Sequence, residues 1–107
     1  VTYHISETIP SEKILSLTVR HQLMMIFTEA IQNILKHAPD SKVIININYE
    51  KSHLTLEVIN SYHKRSMTSF STGHGMNIMQ KRAKRMMATI HFDNDAHHFL
   101  MTCRVKV

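Results

Sequence analysis

Apolar residues recur at spacings of three and four from Thr18 to about His37, at Leu23, Ile26, Phe27, Ala30, Ile31, Ile34 and Leu35. That period places them on one stripe of an amphipathic helix, and Ala38-Pro39-Asp40 supplies its stop. From Val43 to Glu50 and from His53 to Asn60 the pattern changes to alternation. The β-branched content of "VIININY" and "LTLEVIN" then predicts two strands, joined into a hairpin by a short turn at Lys51 and Ser52. A second helical period runs through Met76, Ile78, Met79, Ala83, Met86 and Met87, basic on its outer side through Lys81, Arg82, Lys84 and Arg85. Tyr3 and Ile5 alternate with polar neighbours over residues 2 to 8 until Pro10 ends the run, an edge-strand signal. Ile90 and Phe92, then Phe99, Met101, Cys103 and Val105, predict two closing strands with turn chemistry at Asp93-Asn94-Asp95.

Each strand has one apolar face, so a single sheet with both helices on one side satisfies the pattern. The expected fold class is therefore α/β, a two-layer sandwich on a mixed, mostly antiparallel sheet. The turns between adjacent strands are too short for the crossovers of a doubly wound parallel sheet.

Composition narrows the class further. A chain of 107 residues, 43% apolar and 20% charged, describes one domain that can bury a core without disulfides or a structural metal. The longest apolar run, Leu23 to Phe27, falls far short of the roughly 20 residues that span a bilayer. No signal pattern opens the sequence. Cys103 is the single cysteine, which excludes an internal disulfide and fits a reducing, cytoplasmic setting. Thirteen Lys and Arg against eight Asp and Glu give a net charge of +5, which favours phosphate-bearing ligands, acidic partners or nucleic acid without choosing among them. The nine histidines lack ligand spacing, and His97-His98 is expected to straddle a strand. The eight methionines are expected mostly on the inner helix faces as core filler.

Three features carry candidate chemistry. Glu29 and Asn33 lie four apart on one helix face, with Lys36 and His37 a turn further on. A carboxylate, a carboxamide and a cation suit Mg²⁺ and phosphate, while a solvated outer face is the ordinary reading of the same pattern. The chain has only two glycines, Gly73 and Gly75, both in "TGHG" before the second helix. There they predict positive φ or bare backbone facing an anion, or simply a flexible entry to the helix. Between the hairpin and that helix, Ser61 to Thr72 lacks periodicity and has the length of a functional loop.

Together, "FTEAIQNILKHA" at 27 to 38 and "GHGMNIMQKRAKRMMATI" at 73 to 90 resemble two boxes of the GHKL ATPases. The closest form is that of bacterial two-component sensor histidine kinases, E-A-x-x-N-x-x-K-H-A and G-x-G-L-x-x-M-x-x-R-A. The hairpin, loop and helix between the boxes match in order and spacing, so the resemblance covers nearly the whole chain. It implies a Bergerat-type fold that binds ATP with Mg between helices and sheet. By the same resemblance Asn33 is the Mg²⁺ ligand, Glu29 the catalytic carboxylate near the γ-phosphate, and Lys36 a phosphate contact. Gly73, His74 and Gly75 fall where the ATP lid meets the phosphates. Arg82 and Ala83 match a structural pair, and His37 is a packing or hydrogen-bonding residue, not the phosphoacceptor.

One box departs from the family. Where D-x-G-x-G usually ends the second hairpin strand, this chain has "VINSYHKR". Asn60 shares strand parity with Leu54, Leu56 and Val58, so it is expected to face the helices and to accept from the adenine amino group in the Asp's place. Ser61 and Tyr62 replace backbone-exposing glycine.

The resemblance implies one domain over residues 1–107, a fragment of a longer sensor that is cytoplasmic or the cytoplasmic part of a membrane-bound protein. It would donate the γ-phosphoryl group to a histidine on a separate dimerisation domain, with a response regulator next in line. Neither nucleic acid nor direct membrane contact is expected of it. A GHKL domain that has lost ATP binding and serves as a protein-interaction module is the first rival. A basic nucleic-acid-binding domain, built on the Lys81 to Arg85 cluster, is the second.

Overall fold

The computed structural model describes residues 2–10, 15–38, 40–61 and 74–107. Strand β1 (Thr2–Glu7) leads to helix α1 (Leu17–His37), the hairpin β2 (Lys42–Glu50) and β3 (His53–Ser61), helix α2 (His74–Arg85), and the hairpin β4 (Thr89–Asn94) and β5 (His98–Lys106). The sheet order is β1-β2-β3-β5-β4. Only β1 and β2 pair in parallel, and α1 provides the crossover that a parallel pair requires. The other three pairings are antiparallel, with Val43 opposite Asn60 and Asn60 opposite Phe99.

Alternation along the strands sets the buried face. Val43 and Ile45 of β2, Leu54, Leu56 and Val58 of β3, and Met101, Cys103 and Val105 of β5 are buried beneath Ile26, Ala30 and Ile34 of α1 and Met79 and Ala83 of α2. Each large aliphatic side chain so enclosed contributes on the order of 1.5–3 kcal/mol. The opposite face mixes an apolar row, Ile44, Ile59 and Leu100, with polar pairs: Ser6 Oγ donates to Asn46 Oδ1 at 2.6 Å, and Asn46 Nδ2 donates to Glu57 Oε1 at 3.0 Å. The expected two-layer sandwich is the one observed.

Caps define the helix ends. Ser16 Oγ accepts from the Val19 N–H at 3.2 Å, the N-cap bond of α1, and the Ala38 N–H closes its last turn on the Ile34 carbonyl. At the end of α2 the Met87 N–H donates to the Lys84 carbonyl and the Ala88 N–H to the Ala83 carbonyl. With Met87 at φ 57° this is a Schellman ending, normally built with glycine. The helices are tied together by Arg82, whose Nη1 donates to Gln22 Oε1 at 3.3 Å, while Ala83 packs in the core.

Several expectations need correction. Leu35 and Ile78 are largely exposed because they lie at the margins of their stripes, and polar Gln22 takes a buried place instead. Met24 and Met87 are exposed and Met101 lies on β5, so the methionines are less uniformly core than expected. Met87 has left the helical stripe because the cap turns it outward. Of the two "TGHG" alternatives, positive φ fails at Gly75, which lies in the first turn of α2; Gly73 falls outside the described residues. Positive φ falls instead on Lys51, Ser52 and Met87. In the closing hairpin Asp95 Oδ1 accepts from the backbone N–H groups of His97 and His98, and Asp93 Oδ1 from that of Asn94 within β4. His97 consequently sits in the turn and only His98 in the strand. The Ser61 to Thr72 loop lies outside the described residues beyond Ser61.

Candidate functional site

A cleft opens where the C-terminal half of α1 and the start of α2 meet the sheet. Ala30, Asn33, Ile34 and His37 line it from α1, Met76 and Met79 from α2, and Val58, Asn60, Phe99 and Met101 from the sheet. Spacing explains the helix wall: positions 30, 33, 34 and 37 fall on one stripe of α1. Register explains the floor, since Asn60 pairs with Phe99 and Val58 with Met101 on adjacent strands. The free space is small, about 20 Å³. Three of its lining residues, Met76, Met79 and Met101, are methionine, whose unbranched side chain repacks readily.

Asn60 is the unusual group. It is 1% exposed, and its Oδ1 is buried with no hydrogen-bond partner. Its Nδ2 reaches only the Ser61 carbonyl, at 3.5 Å. A buried carbonyl oxygen left unpaired costs about 1–3 kcal/mol, a cost that a donor entering the cleft would relieve. Ser41 Oγ is the other such atom among the described residues, and Ser41 does not line the cleft. Asn60 faces the helix layer with Leu54, Leu56 and Val58, as its strand parity predicts.

Asn33 is half-buried at the lip of the same cleft. Its carboxamide oxygen is a hard donor of the kind Mg²⁺ accepts, and that ion commonly takes one or two protein ligands with phosphate and water completing its shell. The first turn of α2, which contains Met76, presents the positive end of the helix dipole and carries no acidic residue, an arrangement favourable to an anion. Asn33, Asn60 and the start of α2 are therefore brought together. Glu29, half-buried, and Lys36, exposed, share the helix with Asn33 but do not line the cleft. His74 and Gly75 open α2.

Sequence reasoning set His37 aside and missed Met76, Phe99 and Met101 as lining residues. His37 was legible, one turn beyond Asn33. Phe99 and Met101 were not, because their place depends on β5 inserting between β3 and β4.

Solved structures share this architecture. The histidine kinase domain of a blue-light activated histidine kinase from Erythrobacter litoralis superposes with a TM-score of 0.76 at 11% identity, covering 98% of this chain and 51% of that one. The catalytic domain of the histidine kinase ThkA gives 0.76 at 16% identity, covering 98% and 77%. The Acinetobacter baumannii histidine kinase AdeS gives 0.75 at 14% identity, covering 98% and 53%. The chain thus spans about half the length of the Erythrobacter and Acinetobacter chains. At these identities the likeness establishes the fold. No curated protein matches the sequence at a significant level. Among the described residues no helix is long and apolar enough to cross a membrane. The family model described as histidine kinase-, DNA gyrase B-, and HSP90-like ATPase matches residues 18–106, nearly the full length, and the chain belongs to that family.

Proposed function

We propose that residues 1–107 form the ATP-binding catalytic domain of a longer sensor histidine kinase, acting in the cytoplasm. The observation that carries this reading is the unpaired, buried Asn60 Oδ1 facing the same cleft as Asn33. Asn60 would accept from the adenine amino group, and the apolar walls formed by Ala30, Ile34, Val58 and Met101 would hold the base. Asn33 would ligate Mg²⁺, Lys36 would offset phosphate charge, and the segment Gly73, His74, Gly75 would meet the phosphates. Glu29 would orient or deprotonate the accepting group. ATP supplies the γ-phosphoryl group, and the protein's share is positioning and charge stabilisation. The acceptor would be a histidine on a separate dimerisation domain of the same protein, with a response regulator downstream.

Titration with Mg-ADP tests the reading, since a ligand selective for the native state raises its stability. A saturable upward shift in Tm is expected at millimolar nucleotide, and no shift would sink the assignment. One observation favours a second reading: the free space of the cleft, about 20 Å³, is too small for a purine, so lining side chains must move to admit one. If they do not, the domain is a GHKL scaffold for protein interaction, and the same titration returns no shift.

A further inference from the structure

We infer that the cleft is permissive at the purine 6-position, accepting 6-oxo as well as 6-amino nucleoside diphosphates. This rests on the nucleotide-binding reading above and concerns which bases that site takes. A carboxylate at the floor of the cleft could only accept hydrogen bonds, which suits an amino group and repels a carbonyl. Asn60 carries both an acceptor and a donor on one planar group.

What decides whether both can be used is how firmly the carboxamide is held. Its Oδ1 has no partner, and its Nδ2 has one acceptor at 3.5 Å, the long limit of a hydrogen bond. The contact is to the carbonyl of Ser61, the adjacent residue, so no distant element fixes the orientation. Turning the amide over therefore gives up little. It sets Oδ1 in the place of Nδ2, about as far from the Ser61 carbonyl, and brings the N–H donors to where the unpaired Oδ1 now lies. In one orientation the side chain accepts from a 6-amino group; in the other it donates to a 6-oxo group. Among the described residues, the sheet side chains lining the cleft beside Asn60, namely Val58, Phe99 and Met101, are apolar and do not distinguish the two.

The test compares Mg-ADP with Mg-IDP on the parent protein by calorimetry, since adenine and hypoxanthine differ at the 6-position and the adjoining ring nitrogen. Dissociation constants within about tenfold of each other are expected, because each base meets its complementary group on Asn60 and the 6-oxo base gives up only the long contact to the Ser61 carbonyl. A preference for ADP beyond tenfold overturns the inference and leaves the nucleotide reading standing. Failure of both nucleotides to bind overturns that reading itself. Asn60→Asp provides the second arm: with a pure acceptor in place, the preference for ADP over IDP should widen at least about tenfold. An unchanged ratio in a folded Asn60→Asp protein counts against the inference. The parent comparison stands alone if that variant fails to fold.

Discussion

Asn33 on the helix wall and Asn60 on the sheet floor line one cleft, although α1 and β3 are separated in sequence by the whole of β2. One is half-buried at the lip and the other fully buried. On the proposed reading, a hard cation and its phosphates would lie near Asn33 and the base near Asn60.

That division of labour predicts how Asn33→Ala should behave. Removing the amide oxygen should weaken Mg-ADP by about 10- to 100-fold, the loss of one contact to a charged group. Adenosine without phosphate should bind nearly as it does to the parent. Parallel calorimetric titrations check this, and equal losses for both ligands would mean that Asn33 supports the cleft's shape instead of a metal.

Glu29 lies one turn before Asn33 on the same face of α1 but outside the lining of the cleft. Such a position suits action on an incoming acceptor better than nucleotide binding. In a protein carrying its phosphoacceptor domain, Glu29→Gln should leave the Mg-ADP affinity nearly unchanged. Phosphoryl transfer should fall by about 10²-fold or more, the usual contribution of a positioned base. Autophosphorylation rates set beside binding constants make the separation visible.

Local periodicity made most of this architecture legible. Parity along β3 placed Asn60 under the helices, and spacing along α1 placed Asn33 and Glu29 on one face. Burial at the stripe edges was not legible. Gln22 is buried where Arg82 reaches it from another helix, while Leu35 is left outside at the margin of its stripe. The floor residues Phe99 and Met101 depend on the β3–β5 pairing, which no local pattern encodes. Glycine count also misled, because the described positive-φ positions belong to Lys51, Ser52 and Met87.

Met87 turns that last point into a stability prediction. Its φ of 57° places a non-glycine residue in the left-handed region, and its side chain is 87% exposed. Left-handed backbone costs about 1–2 kcal/mol for a residue with a Cβ, and little burial is lost on truncation. Part of the gain is offset by the greater freedom of glycine in the unfolded chain. Met87→Gly should therefore stabilise the domain by about 0.5–1 kcal/mol, raising Tm by a few degrees. Thermal unfolding of the two proteins measures it, and a lowered Tm would contradict the cap assignment.

Cys103 sits fully buried on β5, and desolvation pushes its thiol up to about 11 from the ordinary 9.0. At pH 8 the folded protein should resist thiol reagents, because the thiolate is scarce and the sulfur is inaccessible. Labelling should require opening of the sheet and accelerate sharply in denaturant. The linkage has a definite sign: the folded pKa lies above the unfolded one, so the neutral thiol's contribution is complete below pH 9 and disappears as pH rises towards 11. The stability difference between the parent and Cys103→Ala, measured by urea unfolding, should accordingly shrink between pH 8 and pH 11. Rapid labelling of the native protein at the rate of a free thiol would place Cys103 outside the core.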